Sequence, residues 1–132
     1  MRILFDIGHP AHFHLFRNLI DELSKRGHDS EIATRDKDVV VKLIQEYGFK
    51  FKVISKQQQG TWGLFKEYVE HSYRFYEMAR SFKPHLLIGC TPSVSLVSKI
   101  FPAKSIIFSE DDPESVWLAS LLTYPLADFI CM

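Results

Sequence analysis

The sequence lacks most of the features that mark a specialised chain. It contains no run of about 18 apolar residues, the length a membrane-spanning helix needs. Its start, Met1-Arg2 and a brief apolar stretch ending at Asp6, is too short for a secretory h-region. The expected location is the cytoplasm. There is no excess of either charge, with 16 basic and 16 acidic residues among 132. No basic run is interleaved with aromatics either, so nucleic acid is not an expected partner. The two cysteines, Cys90 and Cys131, form no C-x-x-C, which argues against a zinc knuckle or a redox motif and leaves them as small hydrophobes at strand ends. Glycine is sparse where nucleotides are usually gripped. After Gly8 the next is Gly27, so neither G-x-G-x-x-G nor G-x-x-x-x-G-K-[ST] occurs.

The chain is rich in apolar surface: 46% of its residues are hydrophobic and 14% aromatic, enough for the core of one ordinary domain. Short apolar runs alternate with amphipathic stretches from end to end, the pattern of βα units around a parallel sheet. Strands are predicted at Ile3–Ile7, Glu31–Thr34, Phe51–Ile54, Leu86–Cys90, Ser105–Phe108 and Phe129–Cys131. Several are apolar throughout, as strands covered on both faces should be. Between them, Phe13, Phe16, Ile20 and Leu23 recur at helical spacing, as do Val40, Leu43, Ile44 and Tyr47. Gly27 and Gly48 come directly after these stripes, where a left-handed residue closes a helix. The third helix, Trp62 to Phe82, spreads apolar residues over half its circumference, against the ~100° stripe that one contact needs. It is either wedged between the sheet and a neighbouring helix or covered in part by a membrane, a partner or a second domain.

The expected fold is a doubly wound α/β sheet of order 3-2-1-4-5-6, with function at the crevice where the winding reverses. That crevice is lined by the segments after strand 1 (Gly8-His9-Pro10-Ala11-His12-Phe13-His14), strand 4 (Thr91-Pro92-Ser93) and strand 5 (Ser109-Glu110-Asp111-Asp112-Pro113). These are the chemically richest stretches of the chain. The same order sets Cys90 and Cys131 two strands apart, ~9–10 Å, beyond disulfide reach. At His12 the positive end of a helix would keep the ring neutral and able to accept a proton, and Asp6, Asp111 or Asp112 could orient it. It could equally pack or cap. His9, ahead of Pro10, reads as shaping the turn, and His14 as exposed. The H-x-x-H-x-H spacing does not put three imidazoles on one face, so no metal is assigned. Thr91 and Pro92 read as N-cap and first residue of the fourth helix, where free N–H groups could also hold a phosphate or carboxylate.

Asp6-Ile7-Gly8-His9-Pro10-Ala11-His12, Arg26-Gly27-His28, Thr34-Arg35-Asp36 and Leu122-Thr123-Tyr124-Pro125-Leu126-Ala127-Asp128 resemble the N-terminal part of an uncharacterised domain-of-unknown-function family. That family is similar to GT-B glycosyltransferases and to non-hydrolysing UDP-N-acetylglucosamine 2-epimerases. The resemblance implies a single Rossmann-like, acceptor-side domain over residues 1–132. A C-terminal domain binding a UDP-type sugar would be absent from this chain, and no cofactor is expected on the chain itself. The acceptor implied is a small molecule or a lipid-linked one. In inverting GT-B enzymes the base histidine lies about fifteen residues before the glycine that ends the first helix, and counting back from Gly27 reaches His12. In the epimerases a catalytic glutamate comes after the equivalent of strand 5, and Glu110 is its nearest counterpart, although Glu-Asp-Asp stands where those enzymes have Glu-Ala-Gly. The expected site is therefore His12, Glu110, Asp111 and Asp112 for chemistry, with Gly8, His9, Thr91 and Ser93 for binding.

Overall fold

The computed structural model describes residues 1–36, 38–56, 60–108 and 129–131. Strands and helices alternate along the chain: β1 (Arg2–Ile7), α1 (Pro10–Lys25), β2 (Asp29–Asp36), α2 (Asp38–Tyr47), β3 (Phe51–Lys56), α3 (Gly60–Phe82), β4 (Leu86–Gly89), α4 (Pro92–Ile100) and β5 (Lys104–Phe108), with a short β6 (Phe129–Cys131) paired to β5. All pairings are parallel, in the order β3-β2-β1-β4-β5-β6. The doubly wound sheet expected from the apolar runs is thus the one observed. β2 is longer than its apolar run, because pairing with β1 on one side and β3 on the other extends it to Asp29 and Asp36.

Strand β1 lies at the centre, and its period-two alternation sorts the core into two halves. Ile3, Phe5 and Ile7 point to the side of α1 and α2, where they meet Phe13, Phe16, Ile20, Val40 and Ile44. Leu4 points to the other side, among Phe75, Met78, Ala79, Val94 and Val97 of α3 and α4. Asp6 keeps to the same alternation, so a carboxylate is aimed into the α3 side of the sheet. Gly27 and Gly48 close α1 and α2 with φ of +86° and +71°, as the sequence anticipates.

The chain reverses its winding between β3 and β4. α3 must therefore return from the edge of the sheet to its centre, and it packs against β3 and β1 on the way. At the centre the packing is close. A Cβ on Gly89 would lie 2.8 Å from Val94 Cγ2, 3.0 Å from the Asp6 carbonyl oxygen and 3.1 Å from Asp6 Cβ. Since the obstacle includes backbone, Gly89→Ala should cost roughly 1–3 kcal/mol of unfolding free energy by forcing β1, β4 and α4 apart. Urea denaturation of the variant checks this.

A buried carboxylate and imidazole at the switch point

Asp6, fully buried, is the hub of the polar groups at the carboxyl ends of the central strands. His71 of α3 donates from Nε2 to the carboxylate, at 2.9 Å from Oδ1 and 3.0 Å from Oδ2. Thr91, at the end of β4, donates its hydroxyl to Oδ2. On the far side of the His71 ring, Nδ1 lies 2.7 Å from Ser55 Oγ of β3. A protonated ring donates from both nitrogens and so satisfies both neighbours. His71 also stacks on Phe75, with ring planes 8° apart.

Strand register explains how Ser55 comes to this side. Between Thr34 and Arg35 the β2–β3 pairing skips a residue, so Arg35 partners Ser55 rather than Ile54. Arg35 and Ser55 then face α3 together, and Arg35 forms an ion pair with the buried Glu67, one helical turn before His71. The Arg35 side chain lies across Gly8, where a Cβ would come within 2.8 Å of Arg35 Cδ. Gly8 is thus the residue that lets the arginine cover the first loop.

Burial alone pushes the Asp6 carboxyl upward, but it is outweighed by the charge and hydrogen bond of His71, the hydrogen bond of Thr91 and the charge of His12. Together these hold Asp6 below its ordinary 3.8. For His71, burial disfavours the charged ring. The charge and hydrogen bond of Asp6, helped by Glu67 and opposed by Arg35, raise it above 6.5. The pair is therefore ionised up to and beyond that pH.

His9 is the N-cap of α1, its Nδ1 accepting from the Ala11 amide at 3.1 Å. His12 lies in the first turn of the same helix, half-buried, with its ring centroid 5.8 Å from that of His9 and near enough for its charge to act on Asp6. His14 is exposed beside Phe13. Thr91 is the N-cap of α4 by position, yet its hydroxyl goes to Asp6 instead of capping the helix. Ser93 is buried, with its Oγ 2.8 Å from Ser72 Oγ of α3. Glu110, Asp111 and Asp112 lie outside the described residues.

Sequence reasoning did not single out His71, Ser55, Glu67 or the role of Arg35. A signal for the first was present. Counting back from the apolar Phe75 by helical turns reaches His71 and Glu67, on the side that must face the sheet.

The whole chain, residues 1–132, matches the family described as "Protein of unknown function (DUF354)" and belongs to it. An uncharacterised protein of Methanocaldococcus jannaschii, MJ0665, is 28% identical over 97% of this chain, which spans 37% of that protein. Among solved structures, Acinetobacter baumannii MurG superposes with a TM-score of 0.79 at 10% identity, over 98% of this chain and 40% of its own. UDP-GlcNAc 2-epimerase from Neisseria meningitidis, solved with UDP-GlcNAc, gives 0.78 at 16% identity, over 98% of this chain and 39% of its own. At these identities the likeness shows the fold, the Rossmann-like domain that glycosyltransferases and 2-epimerases share. The chain spans about two-fifths of the proteins it matches.

The buried pair has a testable sign. His71, raised, contributes stability that is full below pH 6.5 and is lost as pH climbs through its raised value. Asp6, lowered, contributes stability present above 3.8 and lost as pH falls through its lowered value. Wild-type stability from this pair should therefore peak between those limits and decline on either side. In Asp6→Asn the buried imidazole loses its counter-charge, at a cost of roughly 3–5 kcal/mol near pH 6. With burial then dominant its pKa falls, so the variant should gain stability as pH rises toward 6.5. Urea unfolding at several pH values would show the two slopes as opposite in sign above pH 6.

Proposed function

From membership of the DUF354 family and the shared fold, we propose that the chain is the acceptor-side half of a glycosyltransferase-like enzyme, with His12 as general base. The observation that carries this reading is the meeting of Asp6, His71, Thr91 and His12 at the carboxyl ends of β1 and β4, where a doubly wound sheet binds its ligands. The sugar donor, a UDP-type nucleotide, belongs to a further domain outside these residues. The acceptor, a small or lipid-linked alcohol, lies near the strand ends at Gly8, His9 and Thr91, with Ser93 buried behind them against Ser72.

In the reaction, His12 takes the proton of the acceptor hydroxyl as that oxygen bonds to the anomeric carbon and the bond to the nucleotide phosphate breaks. The base must start neutral. The helix N-terminus favours the neutral ring, while an uncompensated carboxylate nearby would hold it protonated. His71 and Thr91 already take up the Asp6 carboxylate, so Asp6 is not a free counter-ion for His12. Glu110, Asp111 and Asp112, which follow β5 in the sequence, are the further acidic candidates for the reaction.

An epimerase-like reaction on a UDP-sugar is the second reading, supported by the nearly equal likeness to the 2-epimerase. Incubation of the longer protein with a UDP-sugar separates the two, since transfer needs an acceptor alcohol and epimerisation does not. In that protein His12→Ala should fold normally and slow transfer by ~10²–10⁴-fold, the range expected on losing a general base. His14→Ala should have almost no effect. A His12→Ala variant that turns over like wild type, beside an inactive Glu110→Gln, would favour the epimerase reading.

A further inference from the structure

Helix α3 has its amphipathic character reversed over its first half. Glu67, His71 and Ser72 are buried, whereas Trp62, Phe65, Val69 and Tyr73 are 79%, 59%, 51% and 62% exposed. These four form one stripe on the face opposite the sheet. No helix of the described residues is long and apolar enough to cross a membrane, so the stripe does not belong to a buried span. A contiguous apolar strip of this kind on a globular domain marks a contact surface.

The charges beside the stripe say what would cover it. Lys66, Glu70, Arg74 and Glu77 run along one flank and Arg80 comes near the end, alternating in sign. When α3 is laid antiparallel against a copy of itself, with a two-fold axis passing midway between Glu70 and Tyr73, one register brings complementary groups opposite each other. Val69 meets Tyr73 of the copy, Lys66 meets Glu77, Glu70 meets Arg74, and Trp62 comes opposite Arg80. In an antiparallel two-fold pair like flanks face each other, so charges on a single flank are sufficient. In the lone chain the same groups are used within the helix, Arg74 binding Glu70 at 3.3 Å and Arg80 lying 5.9 Å from the Tyr76 ring. The Arg74–Glu70 pair is largely exposed and exchangeable, and Arg80 is exposed beside the partly buried Tyr76. The helix, ~34 Å long at 1.5 Å per residue, presents the stripe along its first half, with the charges running beside it and past its end.

We propose that the exposed face of α3 is a self-complementary interface through which two copies of this chain associate as a two-fold dimer, with α3 antiparallel to its counterpart. This does not depend on the catalytic reading. Sedimentation equilibrium of the chain over a range of concentrations should show a reversible dimer. Lys66→Glu and Glu77→Lys should each weaken it by roughly tenfold, because each sets like charges opposite one another. The double swap Lys66→Glu/Glu77→Lys should restore the wild-type constant, and Val69→Glu should abolish association. All these positions are exposed, so folding, read by circular dichroism, should be unchanged. A chain that stays monomeric at every concentration, or a dimer whose double swap gives no recovery, would overturn the proposal. So would a monomer that binds vesicles of phosphatidylcholine and phosphatidylglycerol, with the binding lost on Val69→Glu, since a lipid surface would then be the occupant.

Discussion

One buried carboxylate organises this molecule. Asp6 sits in the central strand with no exposure to water, and an ionised group in such a place is tolerated only when it is paired and hydrogen-bonded. His71 supplies the charge and Thr91 a further donor, while Ser55 fixes the far side of the imidazole. Each comes from a different element: α3, the end of β4 and the end of β3. The pair therefore ties both halves of the doubly wound sheet to the long helix that joins them. Removing either partner would leave the other buried and uncompensated, which is why the two must occur together.

The same arrangement relates the fold to the proposed chemistry. α1 begins just after Asp6 and carries His12 in its first turn, so one strand end serves both the structural pair and the candidate base. The Asp6 carboxylate is taken up by His71 and Thr91, and the charge of His12 acts on it from the first turn of α1. Close contacts at Gly89 and the arginine lying over Gly8 pack these strand ends tightly.

Much of the architecture was legible in the sequence, because it is written in apolar periodicity and in glycines that must adopt positive φ. The strands, the closure of α1 at Gly27 and of α2 at Gly48, and the sheet order all arise from local pattern together with the handedness of crossovers. The polar interior was harder to read. His71 and Glu67 lie on a helix whose most conspicuous apolar stripe, Trp62 to Tyr73, faces outward, so pattern alone suggests the wrong face for its first half. Only the phase set by Phe75, Met78 and Ala79 reveals the inward side. Ser55 depends on a skipped pairing in β2–β3 that no residue type announces. Thr91 was legible as an N-cap by position, but its hydroxyl serves a residue 85 positions away, a long-range choice that local chemistry does not reveal.

The central claim is that Asp6 and His71 form an ion pair inside the sheet rather than a neutral hydrogen bond. Titration of the His71 ring by nuclear magnetic resonance tests it most directly. The account predicts that His71 remains an imidazolium above pH 6.5, with both ring protons protected from exchange, and that Asp6→Asn returns it to the neutral form at that pH. A wild-type His71 that loses its proton below pH 6.5, or one whose titration is indifferent to residue 6, would contradict the account.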